Sequence, residues 1–189
     1  MAIPDSATAK KTLRRQVSDR LPSSIAPSAS AAIVNRIRSI LTPLQLDGPV
    51  SLFAPRSDEA DLLDLLRQHP AGCWLFPRVE GREIVLHPVK DPASLKPGCL
   101  QILEPPADSP SVPAQAVRVF LCPGAAFDPA GRRLGRGRGY YDRLLARRSP
   151  DSLVIGICCE QQIVAEVPCE AHDVPMDLVI TERRILGQP

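Results

Sequence analysis

The chain has 189 residues, a net charge of +2 and 44% hydrophobic residues, a composition typical of a globular protein. No run of about 18 apolar residues occurs, so we predict no membrane span. Residues 1–21 have no hydrophobic segment of the secretory type, which predicts a cytoplasmic protein. The small net charge gives no overall basic surface for nucleic acid.

Two helices are predicted at the start of the chain. Apolar residues recur at every fourth position over about residues 7–20, which indicates an amphipathic helix. Ser28 is predicted to cap a second helix, whose isoleucines share one side: Ile33, Ile37 and Ile40. We expect these helices, residues 7–41, to pack on an α/β sheet core over 50–183, within a single domain spanning 1–189.

Short strands and helices alternate through the rest of the chain. The predicted strands are 50–54, 73–76, 84–86, 117–122, 154–158 and 178–180. One helix, with Leu62, Leu65 and Leu66 at helical spacing, is predicted to end at 70–72, and another to follow Gly139. This alternation predicts a three-layer α/β/α sandwich with a mostly parallel, Rossmann-like sheet. In such sheets ligands bind beyond the carboxyl ends of the strands.

Cysteine, histidine and tryptophan give no sign of a metal or redox site. No CxxC spacing occurs, and most of the six cysteines lie in or beside apolar runs: Cys73, Cys99, Cys122, Cys158, Cys159 and Cys169. We expect reduced core thiols rather than disulfides or zinc ligands. The histidines have no metal-ligand spacing (His69, His87, His172), and Trp74 is expected to pack in the core.

A segment rich in glycine and arginine separates a predicted strand from a predicted helix. Arg133 precedes a run in which the two residue types alternate: Gly135, Arg136, Gly137, Arg138 and Gly139. Converging N–H groups, a helix start and the planar guanidinium groups all favour the binding of phosphate. Asp142 suits a magnesium ion that bridges phosphates. The spacing is neither Walker A nor Rossmann. A solvated turn and an RNA-binding Arg-Gly segment are the alternatives.

Residues 123–142 follow the pattern Pro-Gly-x-x-Phe-Asp-x-x-Gly-x-Arg-Leu-Gly-x-Gly-x-Gly-Tyr-Tyr-Asp, which resembles the signature of the 5-formyltetrahydrofolate cyclo-ligase family. Weaker matches follow the family's order at 10–14, 57–59, 76–78, 104–105, 172–177 and 179–181. The proline-rich loop at 105–115 is not a match. The resemblance implies an ATP- and Mg²⁺-dependent closure of 5-formyltetrahydrofolate to 5,10-methenyltetrahydrofolate, with release of ADP and phosphate.

The resemblance also implies roles for individual residues. Those matching the ATP site are Lys10, Arg14, Arg133, Leu134, Gly135, Arg136, Gly137, Arg138, Gly139, Tyr140 and Tyr141. Glu59, Arg136 and Tyr140 match the folate site, where Glu59 would face the amino-pyrimidine edge of the pterin. Arg136 would be the catalytic residue beside the transferred phosphoryl group. Asp142 and Asp173 match the magnesium ligands, and Asp177 is the nearest alternative.

Two other functions remain open from the residues. One is a cyclo-ligase-like protein without folate turnover that serves as a nucleotide- or nucleic-acid-binding module. The other is an enzyme resembling sugar-phosphate isomerases, which would need a general base beside the glycine loop, where the sequence offers none. The full set of matching charged residues favours the cyclo-ligase. We expect a monomer acting on small molecules, without membrane or nucleic-acid partners.

Overall fold

A computed structural model describes residues 6–42, 48–68, 73–98 and 101–187. Its α-helices are α1 (Ser6–Ser18), α2 (Pro27–Leu41), α3 (Asp64–Gln68) and α4 (Tyr140–Leu145). Its strands are β1 (Val50–Ser51), β2 (Trp74–Glu80), β3 (Glu83–Pro88), β4 (Lys96–Pro97), β5 (Leu103–Glu104), β6 (Val119–Pro123), β7 (Ala126–Phe127), β8 (Arg133–Leu134), β9 (Leu153–Ile157), β10 (Leu178–Ile180) and β11 (Ile185–Gly187).

Seven of these strands form one sheet, in the order β11-β10-β9-β6-β1-β2-β3. The five central strands run parallel to one another, and the edge strands β3 and β11 are antiparallel to their neighbours. The predicted mostly parallel sheet is therefore confirmed. Two small antiparallel hairpins, β4–β5 and β7–β8, lie outside it and were not predicted.

Successive residues of the central strands face opposite sides of the sheet, as the strand period of two requires. One face packs against α2 and α3 through residues such as Val119, Leu121 and Ile155. The other face packs against α4 through residues such as Phe120 and Val154. The chain therefore forms the predicted three layers. Trp74 is buried in the first of these cores, as expected.

The starts of the helices differ from the prediction in ways that local chemistry explains. The second helix begins at Pro27 with Ala26 at the cap position, so Ser28 is not its cap. Proline favours the first helical position because its missing N–H would have no partner there. The third helix has only five residues and starts at Asp64, so Leu62, predicted to belong to it, precedes it. The predicted end of this helix at 70–72 lies outside the described residues.

The first helix does not join the layers around the sheet. Val17 is buried against Ala126, Leu134 and Val167, so α1 packs on the β7–β8 hairpin and the segment before β10. This placement puts α1 beside the loops that follow the carboxyl ends of the central strands. No helix in the described ranges is long and apolar enough to cross a membrane.

The prediction that the cysteines lie in the core is correct for three residues and wrong for two. Cys122, Cys158 and Cys159 are buried, and burial raises the pKa of the Cys122 thiol to about 12. Cys73 and Cys169 are exposed, because one precedes β2 and the other lies in the loop before β10. All five are free thiols, and Cys99 lies outside the described residues.

Asp128 organises the turn between β7 and β8. Its carboxylate is 2% exposed and accepts the backbone N–H groups of Ala130 and Arg132 at 3.0 Å and of Val167 at 2.9 Å. One buried anion therefore fixes both the hairpin and the segment that α1 packs against.

We expect Asp128→Ala to lower the free energy of unfolding by about 3 kcal/mol, because it leaves buried N–H groups without acceptors. Urea unfolding followed by circular dichroism measures this change. Asp108→Ala, at an exposed loop position, serves as the control and should change stability by less than about 0.5 kcal/mol. Equal stability of the two variants would show that the Asp128 bonds contribute nothing net.

Candidate active site

The candidate site lies where β1 and β6 end, at the carboxyl edge of the sheet. The loop from β6 to α4 crosses this edge and contains the glycine loop, residues 135–139. Gly137 and Gly139 adopt φ of 99° and 65°, conformations that side-chain-bearing residues rarely adopt. α4 has only six residues, so a helix dipole contributes little here. The predicted anion site depends instead on the arginines that precede α4.

Arg133 is the buried cation of this loop, with a side chain only 3% exposed. Its guanidinium donates to Asp142 Oδ1 at 2.7 Å and to the Pro123 carbonyl at 3.4 Å. The guanidinium also lies 5.5 Å from the centre of the Tyr141 ring. These contacts join the end of β6 to the first turn of α4 and hold both ends of the loop.

Arg136 lies across the mouth of an apolar pocket. Its guanidinium donates to Asp58 Oδ2 at 2.9 Å, and to Glu59 Oε1 from Nη2 at 2.9 Å and from Nε at 3.2 Å. Burial disfavours the charge of Arg136, but the two carboxylates outweigh this effect and raise its pKa. The glycine loop is thereby tied to the turn after β1.

The first helix supplies two further cations to the site. Arg14 Nε donates to the Gly135 carbonyl at 2.7 Å, and Lys10 Nζ lies 2.6 Å from Asp173 and 3.2 Å from Glu170. Burial opposes the charges of the Lys10–Asp173 pair, but their hydrogen bond and mutual attraction outweigh it. The pKa of Lys10 is therefore raised and that of Asp173 lowered.

The glycine loop separates two recesses. A mostly apolar pocket of about 150 Å³ lies on one side, lined by Phe53, Ile84, Ile102, Glu59, Glu104 and Tyr140 among others. A polar cleft of about 390 Å³ lies on the other side, lined by Lys10, Arg14, Leu134, Gly137, Asp142 and Asp173 among others. Both recesses share Arg133, Gly135, Arg138, Gly139 and Asp142.

Most of the predicted site residues therefore meet at this loop. The side chain of Leu134 is buried in the cluster under α1. Tyr140 lies at the apolar pocket, with Arg143 stacked 5.4 Å from its ring centre, and Arg138 is exposed at the rim of both recesses.

Asp177, the alternative metal ligand, has a different role. Its carboxylate accepts the Val154 N–H at 2.7 Å, and the residue directly precedes β10. Asp177 therefore lies at the amino end of a parallel strand, opposite the edge where the site forms. Asp173, on the loop that returns toward α1, lies at the cleft.

The resemblance includes Asp58, Arg78 and Glu104 in its matching segments but gives them no role, and Glu170 lies outside the matches. Asp58 binds Arg136, and Glu104 lines the apolar pocket. Asp58 could have been found from its place beside Glu59. The contacts of Arg78, Glu104 and Glu170 follow only from tertiary packing, since no local pattern joins these residues to the glycine loop.

Comparisons with known proteins identify relatives of this arrangement. The model of the 5-formyltetrahydrofolate cyclo-ligase family matches residues 6–182. A 5-formyltetrahydrofolate cyclo-ligase from Mycolicibacterium smegmatis is 38% identical over 96 residues, which cover 49% of this chain and 48% of the relative. The chain thus spans about half the length of the curated relatives it matches, or less.

Solved structures extend the similarity to nearly the whole chain. The NMR structure of a 5,10-methenyltetrahydrofolate synthetase from Aquifex aeolicus has a TM-score of 0.81 and 33% identity, covering 94% of this chain and 92% of that one. A synthetase of the same name from Mycoplasma pneumoniae has a TM-score of 0.73 and 23% identity, covering 92% and 98%. The second similarity concerns the fold alone.

We expect Arg133→Met to lower the free energy of unfolding by about 3 kcal/mol, because it leaves Asp142 without its partner in a poorly hydrated position. Chemical denaturation measures the change. Arg147→Met is the matched control, since Arg147 pairs with Glu83 in an exposed position and should contribute less than about 1 kcal/mol. If Arg133→Met is as stable as this control, the buried pair does not stabilise the loop.

Proposed function

Because the chain belongs to the 5-formyltetrahydrofolate cyclo-ligase family, we propose that it converts 5-formyltetrahydrofolate and ATP to 5,10-methenyltetrahydrofolate, ADP and phosphate. The observation that carries this proposal is the position of the glycine loop between an apolar pocket and a cationic cleft. A folate ring in the pocket and a triphosphate in the cleft would meet at this loop. The formyl oxygen and the γ-phosphate would then be neighbours.

The proposed reaction has two steps. The formyl oxygen attacks the γ-phosphorus of ATP, the bond between this phosphorus and the bridging oxygen breaks, and ADP leaves. Nitrogen 10 of the folate then attacks the formyl carbon, phosphate departs with the formyl oxygen, and the proton of nitrogen 10 passes to solvent. Both steps need positioned reactants and neutralised phosphoryl charge rather than a protein nucleophile.

The cations around the loop suit these needs. Lys10 and Arg14 line the cleft and would bind the phosphates, with the backbone of the glycine loop approaching them closely. Arg136 lies at the rim of the apolar pocket and would stabilise the charge that spreads over the phosphoryl oxygens during transfer. Tyr140 would contact the folate, and Glu59 would orient Arg136 and face the pterin.

Magnesium fits the carboxylates of the cleft. Asp142 bonds Arg133 through Oδ1, and Asp173 bonds Lys10 through Oδ2, so each keeps an oxygen outside these pairs. Carboxylate oxygens are the protein ligands that Mg²⁺ prefers. Asp142 and Asp173 would hold the ion, which when bound neutralises charge on the phosphate oxygens.

Purified protein should form the methenyl product from 5-formyltetrahydrofolate only when ATP and a divalent cation are both present, because the formyl oxygen leaves only after phosphorylation. The absorbance of the methenyl product measures turnover directly. A control reaction with a non-hydrolysable ATP analogue should give no product. Turnover at an equal rate without nucleotide would rule out the cyclo-ligase reaction, and no turnover under any condition would favour the binding-module alternative.

Arg136→Ala should lower the maximal rate by roughly a thousandfold while changing the binding of either substrate far less, because the guanidinium acts on transition-state charge. Steady-state kinetics and separate binding measurements test this split. Arg138→Ala is the matched comparison, since Arg138 is exposed at the rim of the same pocket, and should lower the rate much less. A near-normal rate with raised Michaelis constants would make Arg136 a binding residue only.

The cytoplasmic location, the single domain over residues 1–189, the monomeric state and the lack of a nucleic-acid partner remain predictions from the sequence. Sedimentation of the purified protein at several concentrations would decide the oligomeric state.

A further inference from the structure

Within the described residues, every hydrogen bond of the Arg136 side chain goes to the turn after β1. Its Nη2 donates to Asp58 Oδ2 and to Glu59 Oε1, each at 2.9 Å, and its Nε donates to Glu59 Oε1 at 3.2 Å. The glycine loop itself supplies none of these bonds. Gly135 and Gly137 flank Arg136, so no neighbouring side chain restrains it either. The direction of the guanidinium is therefore set by the two carboxylates of the turn.

The two carboxylates hold one edge of a planar group. A guanidinium is rigid, so fixing two of its nitrogens also fixes the direction of the third. Nε and Nη2 of Arg136 are held, whereas Nη1 has no hydrogen-bond partner in the part of the chain that the structure describes. Arg136 lies at the rim of the apolar pocket. Its Nη1 can therefore donate to a ligand oxygen without breaking the contacts of the turn.

Asp58 and Glu59 differ in what else they contact. Glu59 lines the apolar pocket, so its oxygens are within reach of a ligand there. Asp58 lines neither the apolar pocket nor the polar cleft, and its other oxygen, Oδ1, accepts Arg56 Nε at 3.2 Å. Asp58 can thus hold Arg136 whether or not the two recesses are filled.

The turn that carries Asp58 is itself fixed by backbone hydrogen bonds. The Glu59 N–H donates to the Arg56 carbonyl, and the Ile25 N–H donates to the Ser57 carbonyl, each at 3.0 Å. The first bond closes the turn, and the second ties it to the segment between α1 and α2. The Asp58 carboxylate therefore has a fixed base, which a side chain that orients another requires.

The charges of this cluster balance one another. Arg56 and Arg136 lie against Asp58 and Glu59, two cations against two carboxylates. Burial alone would raise the pKa of Asp58, but the hydrogen bonds and charges of the two arginines outweigh it and lower this pKa. Loss of the Asp58 charge would leave the cluster positive, and a positive cluster attracts a phosphate group.

We propose that Asp58 is a positioning residue, which holds Nη2 of Arg136 so that Nη1 points at the oxygens of the transferred phosphoryl group. The inference rests on the proposed function, because it takes Arg136 to act on that group. Asp58 itself contacts neither substrate. Since a misplacement of about 1 Å can remove most of the effect of a catalytic group, Asp58 controls the rate through Arg136 and leaves ligand binding nearly unchanged.

The test separates rate from binding. Asp58→Asn keeps the size of the side chain but replaces one acceptor oxygen by an amide donor, and it should lower the maximal rate by about 10- to 100-fold. Calorimetry should give dissociation constants for ATP and for 5-formyltetrahydrofolate within about 5-fold of wild type, the scale of one exposed ion pair. Any change for ATP should be toward tighter binding. Asp58→Glu, which restores the carboxylate, should recover part of the rate.

A double-mutant cycle shows whether Asp58 acts through Arg136. In the Arg136→Ala background, Asp58→Asn should cause no further loss of rate, because the side chain that it orients is gone. Asp64→Asn is the matched control, since Asp64 also pairs with an arginine, Arg67, but is exposed and lines neither recess. It should keep the wild-type rate. Asp58→Ser replaces Asp58→Asn throughout if circular dichroism shows that Asp58→Asn does not fold.

A near-normal maximal rate in Asp58→Asn would overturn the proposal. Equal loss of rate in the wild-type and Arg136→Ala backgrounds would also overturn it, because Asp58 would then act through another partner such as Arg56. Weaker binding of both ligands at an unchanged maximal rate would assign Asp58 a structural role and overturn it as well. These three outcomes leave the proposed function standing, whereas wild-type protein that forms no methenyl product with ATP would overturn both.

Discussion

Arg133 is a cation almost fully removed from water, and the loop from β6 to α4 is arranged around this constraint. A buried guanidinium must have acceptors in fixed directions. The two Nη atoms of Arg133 find them in the Pro123 carbonyl and the Asp142 carboxylate, with the Tyr141 ring against one face, while its Nε has no partner within the described residues. Because these partners lie at the end of β6 and in the first turn of α4, satisfying one charge fixes the entrance and exit of the glycine loop.

The first helix extends this arrangement from the other end of the chain. It is anchored by apolar contacts, with Val17 buried against Leu134, so its position depends on the hairpin that Asp128 holds. Lys10 and Arg14 lie four residues apart and therefore on one side of the helix. Because the opposite, apolar side of the helix packs on the hairpin, both cations line the cleft. The cleft is therefore built jointly by residues near both ends of the chain.

Three of the five cations described at the site are paired with carboxylates, and this balance bears on ligand binding. Arg136 pairs with Asp58 and Glu59, Lys10 with Asp173 and Glu170, and Arg133 with Asp142, an arrangement that lowers the desolvation cost of each charge. A phosphate that enters the cleft competes with these carboxylates for the same donors. In the proposed reaction, nucleotide affinity would be set by a difference between two sets of ion pairs, and a bound divalent cation would favour the phosphate by occupying the carboxylates. Arg14 differs from these cations, because its Nε donates to the Gly135 carbonyl.

The sequence by itself determined the layered fold and most of the residues around the glycine loop. Strands such as 178–180 could be predicted because a strand inside the sheet is buried on both faces. Its apolar run is visible in the sequence without knowledge of which strands it pairs with. The glycine and arginine run was found because its chemistry is local. The family was recognised from one contiguous motif, residues 123–142, whose spacing can be seen without any structure.

Only the tertiary structure decided which charges meet. That Arg136 binds the acidic turn after β1, that Lys10 reaches Asp173, and that Asp177 serves a strand instead of the cleft all follow from packing between distant segments. Short hairpins such as β4–β5 have too few residues for a periodic signal, so the match at 104–105 did not show that this hairpin lines the pocket. The burial of Glu104 beside Val79 and Arg78 likewise exists only once the hairpin has folded against the apolar pocket.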